Sequence, residues 1–412
     1  MMTRQDCERA DRDDPLASFR ARFALPEGVI YLDGNSLGAL PAATPARIAQ
    51  TVTSEWGHDL IRAWNSHDWV GQPRRVGDKL ARLLGAAAGE IIIADSTSLN
   101  IFKLLAALLA RPLEAGRNVI LSERGNFPTD LYMAQGLNQL MGGRFQLKWV
   151  DGHPADHLDS SVAAAIITQV DYRTGRMLDM AALNERARAC GAPIIWDLSH
   201  SAGAVPVRLN ADGAAYAVGC GYKYLNGGPG APAYLYVRQD LQAQTRQPLT
   251  GWFGHAAPFE FTPDYQPAGG IEQMLVGTPS VLAITALECG VDLMLEADIR
   301  TLRSKSVALT ECFIDLVASR CTSHGFELAA PREYSQRGSQ VSFRHPSAWP
   351  IMQALIARGV IGDFRKPDFI RFGFAPLYVR HVDVWDAVEI LKDIMDSGQW
   401  REARFQKLNA VT

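Results

Sequence analysis

Apolar and polar residues change rhythm twice along this chain. From about residue 44 to 85, the stretches PARIAQTVTSEWGHDLIRAWN and GDKLARLLG set apolar side chains three and four apart, which predicts amphipathic helices. Short apolar runs then take over: EIIIA at 90, NVILS at 118, FQLKWV at 145, AAIITQV at 164, PIIWD at 193 and AAYAVGC at 214. Each is bounded by polar residues or glycine, and helical patterns lie between them. That alternation predicts a mostly parallel sheet covered by helices. A long helical region follows from about 280 to 320, after which SQVSF at 339, GVIGD at 359 and FIRFGF at 369 alternate with the helices PIMQALIARG and VDVWDAVEILKDIM. The expected organisation is an N-terminal segment with helices over 1–65, a large α/β domain over 66–298 and a smaller α+β domain over 299–412.

Composition narrows the function classes. The chain has 412 residues, is 47% hydrophobic and 21% charged, and sets 41 basic against 44 acidic residues for a net charge of −3. Such a balance exerts no global pull on nucleic acid or anionic membrane, so a small-molecule partner fits better. The six cysteines lie far apart without C-x-x-C spacing, which disfavours structural zinc and reads as buried small hydrophobes. The charged start MMTRQDCERADRDDPLASF lacks an apolar signal region, and no apolar run reaches the roughly 20 residues of a membrane helix. A cytoplasmic, reducing location is expected.

In an open α/β sheet the ligand sits beyond the carboxyl ends of the strands. After EIIIA comes DSTSLN, where Ser96 and Thr97 open a helix whose free N–H groups suit a phosphate, although the same hydroxyls also serve as plain caps. After NVILS comes Phe127, placed to lie on a planar ring or to pack in the core, followed by Asp130. After PIIW comes Asp197, a carboxylate at the end of a buried strand, which is costly unless paired. His200 borders the same loop. After AAYAVGC comes Lys223, between two tyrosines and before a glycine cluster. GPGAPA at 228 formally fits a dinucleotide fingerprint, but a strand-like AYLYV follows instead of a helix, which argues against that reading. An anion-binding helix start, a flat aromatic, a buried carboxylate and a lysine together match pyridoxal 5'-phosphate: phosphate anchored, ring stacked, ring nitrogen kept protonated by Asp197, and aldehyde held by Lys223 as an imine.

With these residues in place, the chain resembles the kynureninases, pyridoxal-phosphate enzymes with the fold type I (aspartate-aminotransferase-like) architecture. The resemblance runs through YLDGNSLG at 31, FPTD at 127, DLSHSAG at 197, GCGYKYLNGGPG at 219, GWFGH at 251, GTPSVLAI at 277 and FIRFGFAPLY at 369. It implies hydrolysis of L-kynurenine to anthranilate and L-alanine, a step of tryptophan catabolism, by a homodimer with shared active sites. It also implies that Lys223 carries the cofactor, Asp197 pairs with its ring nitrogen and Phe127 stacks on it. Ser96, Thr97, Tyr222 and Thr278 would hold the phosphate, with Trp252 arriving from the partner subunit, while Asp130, Thr168 and His200 line the cofactor. Arg371 would clamp the substrate carboxylate.

Lys223 then removes the Cα proton and Tyr222 serves proton transfer when the Cβ–Cγ bond breaks. Gly277, Thr278 and Trp64 stand where relatives that favour the 3-hydroxylated substrate tend to carry hydrogen-bonding side chains, so plain kynurenine is the expected substrate. A cysteine desulfurase or aminotransferase of the same fold is the enzymatic alternative. A non-catalytic, cofactor-binding regulatory protein is the alternative from another class.

Overall fold

The computed structural model describes residues 2–408. Seven strands form the large sheet: β1 (Ile91–Ile93), β2 (Val119–Glu123), β3 (Gln146–Val150), β4 (Val162–Thr168), β5 (Ile194–Asp197), β6 (Tyr216–Cys220) and β7 (Ala233–Val237). Their order is β1-β7-β6-β5-β4-β2-β3, and β7 alone runs against the other six. Every residue of β4 and of β6 is buried, which explains why these runs are apolar without alternation: helices cover both faces. Ile91, Ile93, Ala165 and Ile167 join one apolar cluster, while Ile92, Ala164 and Ile166 join the other, as the two-residue period of a strand requires. The expected strands are thus all present, and their carboxyl ends share one edge.

A second, antiparallel sheet holds β8 (Glu327–Leu328), β9 (Gln340–Arg344), β10 (Asp363–Arg365) and β11 (Phe369–Gly373) in the order β10-β11-β9-β8. The run GVIGD, expected as one strand, divides at Gly362: Val360–Ile361 pairs with Ile30–Tyr31 from the chain start, and β10 pairs with β11. A side chain at Gly362 would press on the Arg371 carbonyl oxygen at 2.8 Å, so the bend needs glycine. The N-terminal segment thereby docks on the C-terminal part.

Two helical expectations change. The region 44–66 is an α-helix over Thr44–Gln50, widens into a π-type stretch over Thr51–Trp56, breaks where Leu60 takes a positive φ of 55°, and ends in a single α-helical turn over Ala63–Ser66. Its apolar stripe does not reach the core: Trp56, Leu60 and Ile61 are 56%, 60% and 77% exposed. The region 280–320 is two helices, Val281–Glu296 and Ile299–Arg320, because Asp298 leaves the helical conformation and caps the second, accepting from Thr301 N at 2.8 Å. Among the described residues no helix is long and apolar enough to cross a membrane. Of the cysteines, Cys190 and Cys289 are only half-buried, because they lie on helix faces that neighbouring elements cover incompletely.

Candidate active site

The loop after β6 presents Lys223. Its Nζ lies 2.9 Å from Nε2 of His200, which stands in the turn after β5. His200 is buried, and its Nδ1 has no hydrogen-bond partner. Burial, then the charges of Lys223, Arg371 and Arg365, hold its imidazole well below the usual histidine range. A neutral ring is the form whose Nε2 can accept a hydrogen bond from the lysine. The N-terminal motif DGNSLG supports this loop from behind: Gly38 N donates to the Tyr222 carbonyl at 2.8 Å, and a Cβ on Gly38 would lie 2.2 Å from the Lys223 carbonyl oxygen. Only glycine allows so close an approach.

Two buried carboxyl groups face the lysine. Asp197, at the end of β5, accepts from Ser199 N at 2.8 Å and from Ser199 Oγ at 2.6 Å. Burial pushes its carboxyl up, against the pull of Ser199 and Lys223. Asp130 is fully buried, and neither of its oxygens meets hydrogen-bond geometry, although Asn126 and Thr168 lie beside it. Burial and then the neighbouring Asp197 push it well above the ordinary carboxylate range. Thr168 Oγ1 donates to Asn126 Oδ1 at 2.5 Å, which fixes the strand end between the two acids. Asp197, beside the lysine and with Asp130 behind it, places a carboxyl where a ring nitrogen of a bound cofactor can pair with it.

The opposite wall is made of helix starts. Ser96 caps α1 (Thr97–Leu109), accepting from Leu99 N at 3.3 Å. Ser98 Oγ and Thr129 Oγ1 meet at 2.8 Å, tying that start to the start of α2 (Pro128–Leu140). Two adjacent helix N-termini offer free N–H groups and the positive end of their dipoles to an anion. Phe127 is 41% exposed and therefore outside the core; its ring stands edge-on to Tyr172 at 5.1 Å and 5.9 Å from Lys223 Nζ. These groups enclose a cavity of about 150 Å³ lined by Ser96, Thr97, Phe127, Thr168, Asp197, His200, Tyr222 and Lys223, together with Ser98, Thr129, Tyr172 and Ser199. Burial holds the Tyr222 hydroxyl above its ordinary range, so it stays protonated and can donate.

Arg371 lies beyond the cavity on the central strand of the small sheet and is fully buried, so it is no edge-strand surface group. The register places Asp363 directly across from it on β10. Its Nε donates to Asp363 Oδ1 at 2.7 Å and its Nη2 to Ser36 Oγ at 2.8 Å; Nη2 also reaches Asp363 Oδ2, and Nη1 the carbonyl of Tyr172, whose ring lines the cavity.

The geometry can be compared with known proteins. Residues 302–391 match the kynureninase C-terminal domain. The chain is 53% identical to a kynureninase from Burkholderia pseudomallei over 417 aligned positions, covering 100% of both chains, and 49% identical to one from Pseudomonas fluorescens, again covering 100% of both. The chain belongs to the kynureninase family. Among solved structures, the apo cysteine desulfurase from Thermococcus onnurineus NA1 superposes with a TM-score of 0.79 at 17% identity, covering 92% of this chain and 98% of that one, which shows the shared fold.

Of the residues expected from the kynureninase resemblance, Ser96, Thr97, Phe127, Asp130, Thr168, Asp197, His200, Tyr222 and Lys223 come together around one cavity. Five do not join it: Arg371, which lies beyond it, and four residues of other segments. Gly277 and Thr278 line a separate cleft of about 160 Å³ beside Asp95. Trp252 is 41% exposed and stands at 4.5 Å from Phe253, which Trp64 meets at 6.1 Å. The two segments touch: Phe253 N donates to the Val276 carbonyl at 3.2 Å. Tyr172, Asn126, Ser36 and Asp363 were not singled out from sequence. Asp363 carried a usable signal, since an acid eight positions before an arginine across a tight hairpin becomes its cross-strand neighbour.

Proposed function

We propose that this chain hydrolyses the Cβ–Cγ bond of L-kynurenine, giving anthranilate and L-alanine, with pyridoxal 5'-phosphate as cofactor. The observation that carries this reading is the pairing of a half-buried Lys223 with the buried carboxyl of Asp197 in one cavity, at the mouth of two helix starts. The fit to the cofactor is specific. Asp197 offers a carboxyl to a ring nitrogen, the first turns of α1 and α2 suit an anion, Phe127 offers an open ring face and Lys223 offers the amine. Lys223 would hold the aldehyde, Asp197 the ring nitrogen, and Ser96, Thr97 and Tyr222 the phosphate. When bound, pyridoxal phosphate supplies the electron sink that lets a carbon beside the amino group lose its proton.

The chain's own groups would do the rest. Arg371 orients the substrate carboxylate, and Lys223 Nζ takes the proton from substrate Cα while neutral His200 holds that amine by its 2.9 Å hydrogen bond. Water adds at the carbonyl carbon; its oxygen leaves in the anthranilate carboxylate, and a proton ends on the alanine methyl carbon. Tyr222, held protonated by burial, is the donor placed for that late transfer. A desulfurase reading lacks its cysteine: Cys220 is buried, with its Sγ directed at the Ser199 carbonyl at 3.8 Å.

The working unit is a homodimer. Trp252, Thr278, Gly277 and Trp64 stand outside the lining of the Lys223 cavity of their own chain, and Trp252 stacks on exposed Phe261, which suits delivery to the cavity of a second copy. Gly277, which brings no hydrogen-bonding side chain, favours kynurenine over its 3-hydroxylated form. Purified protein incubated with L-kynurenine is expected to release anthranilate, read by its fluorescence, and alanine in equal amount. Absence of both products from cofactor-loaded protein refutes the proposal.

A further inference from the structure

The carboxylate subsite holds an unused cation. Arginine has five N–H donors, and Arg371 already directs four bonds at Asp363, Ser36 and the Tyr172 carbonyl. Nη2 is fully committed, so Arg371 as it stands has a single N–H for an incoming carboxylate and cannot form the two parallel bonds of a fork. A second guanidinium lies beside it. Arg365 follows Asp363 by two positions on β10 and therefore points to the same face. Its Nη2 lies 2.8 Å from Asp363 Oδ2 and 3.3 Å from Ser36 Oγ, the same two groups that hold Arg371. The difference is access: the side chain of Arg365 is 35% exposed and that of Arg371 is 2% exposed.

Charge points the same way. Two guanidinium groups share one ionised carboxylate, Asp363, which Arg371 and then Arg365 hold below the ordinary range despite its burial. The other acid of the cluster, Asp33, is half-buried with Oδ1 unpartnered, and desolvation and Asp363 push it well above the usual range, so it adds no compensating charge. One positive charge stays unmatched. It sits on the more open of the two guanidinium groups, which shares Asp363 and Ser36 with Arg371.

We propose that Arg365 is a second specificity-determining residue, which completes the grip on the substrate α-carboxylate that buried Arg371 cannot form alone. This rests on the reading of the chain as a kynurenine hydrolase with Arg371 at the carboxylate. The test compares L-kynurenine with L-kynurenine amide, in which an uncharged carboxamide of the same shape replaces the carboxylate, on the cofactor-loaded enzyme. Arg365→Gln is expected to lower kcat/KM for the acid by about tenfold or more, mostly through KM, and to leave the amide within about twofold. Arg365→Lys, which keeps the charge, is expected to restore most of the preference for the acid. Equal losses on acid and amide would show that Arg365 only buttresses Asp363 and would overturn the proposal, as would an unchanged acid-to-amide ratio. Failure of the underlying reading looks different: wild-type enzyme cleaving neither compound refutes the reaction, and Arg371→Gln retaining full activity on the acid refutes the placing of the carboxylate.

Discussion

Lys223 and Asp130 show two ways a buried polar group shapes this site. Lys223 is the proposed carrier of the chemistry, so Lys223→Ala is expected to reduce turnover by roughly a thousandfold or more, with anthranilate release as the readout. Borohydride reduction followed by peptide mass spectrometry is expected to find the pyridoxyl group on Lys223 in wild-type protein; a label elsewhere refutes the assignment. Asp130 instead costs stability while no cation sits beside it. Its carboxyl keeps a proton in the folded state at pH values where the unfolded chain has lost it, so its contribution is most favourable at low pH and falls as pH rises through the raised folded value. Asp130→Asn is therefore expected to stabilise the apoprotein by about 1–3 kcal/mol at neutral pH, with the advantage over wild type widening from pH 5 to pH 8 in thermal melts. A gap that narrows with pH would contradict the assigned burial.

Between elements, the decisive contact is that of the DGNSLG segment with the lysine loop. Gly38 sits where a methyl group would collide with the Lys223 carbonyl and with Asn226 Oδ1, at 2.2 and 2.5 Å. Gly38→Ala is expected to displace the loop, weakening pyridoxal phosphate binding by about tenfold and destabilising the fold by about 1–3 kcal/mol, measured by cofactor titration and denaturant melts. Unaltered cofactor affinity in that variant would mean the loop has room to shift. The strand ends themselves were legible from sequence, because a strand buried on both faces must be an apolar run and its ligand-facing residues must follow it. Ser36 and Tyr172 were not, because each meets Arg371 through loop contact from far away in the chain.

Across the whole molecule, the residues that do not join their own cavity carry the prediction. If Trp252 serves the site of a second copy, inactive Lys223→Ala and Trp252→Ala subunits should complement when mixed and re-formed into dimers. A random mixture then contains about one intact site in four, and about a quarter of wild-type activity is expected. Activity no greater than the sum of the parents would place Trp252 outside the shared site. The misread helix over 44–66 belongs here too: its spacing is helical, yet Trp56, Leu60 and Ile61 point away from the core of this chain. Periodicity reports that a face is apolar, not which surface covers it.

The sequence by itself determined the α/β layering, the order of strands and helices, and the identity of the lysine, acid, aromatic and helix start that share one sheet edge, because those follow from local periodicity and from what a buried strand tolerates. Tertiary structure alone decided which of those groups meet. It left Asp130 without a partner, set Asp363 across from Arg371, pressed Gly38 onto the lysine loop and turned Trp252 and Thr278 away. Such outcomes depend on register, burial and close approach between segments distant in the chain, and these are properties of packing that no local stretch of residues encodes.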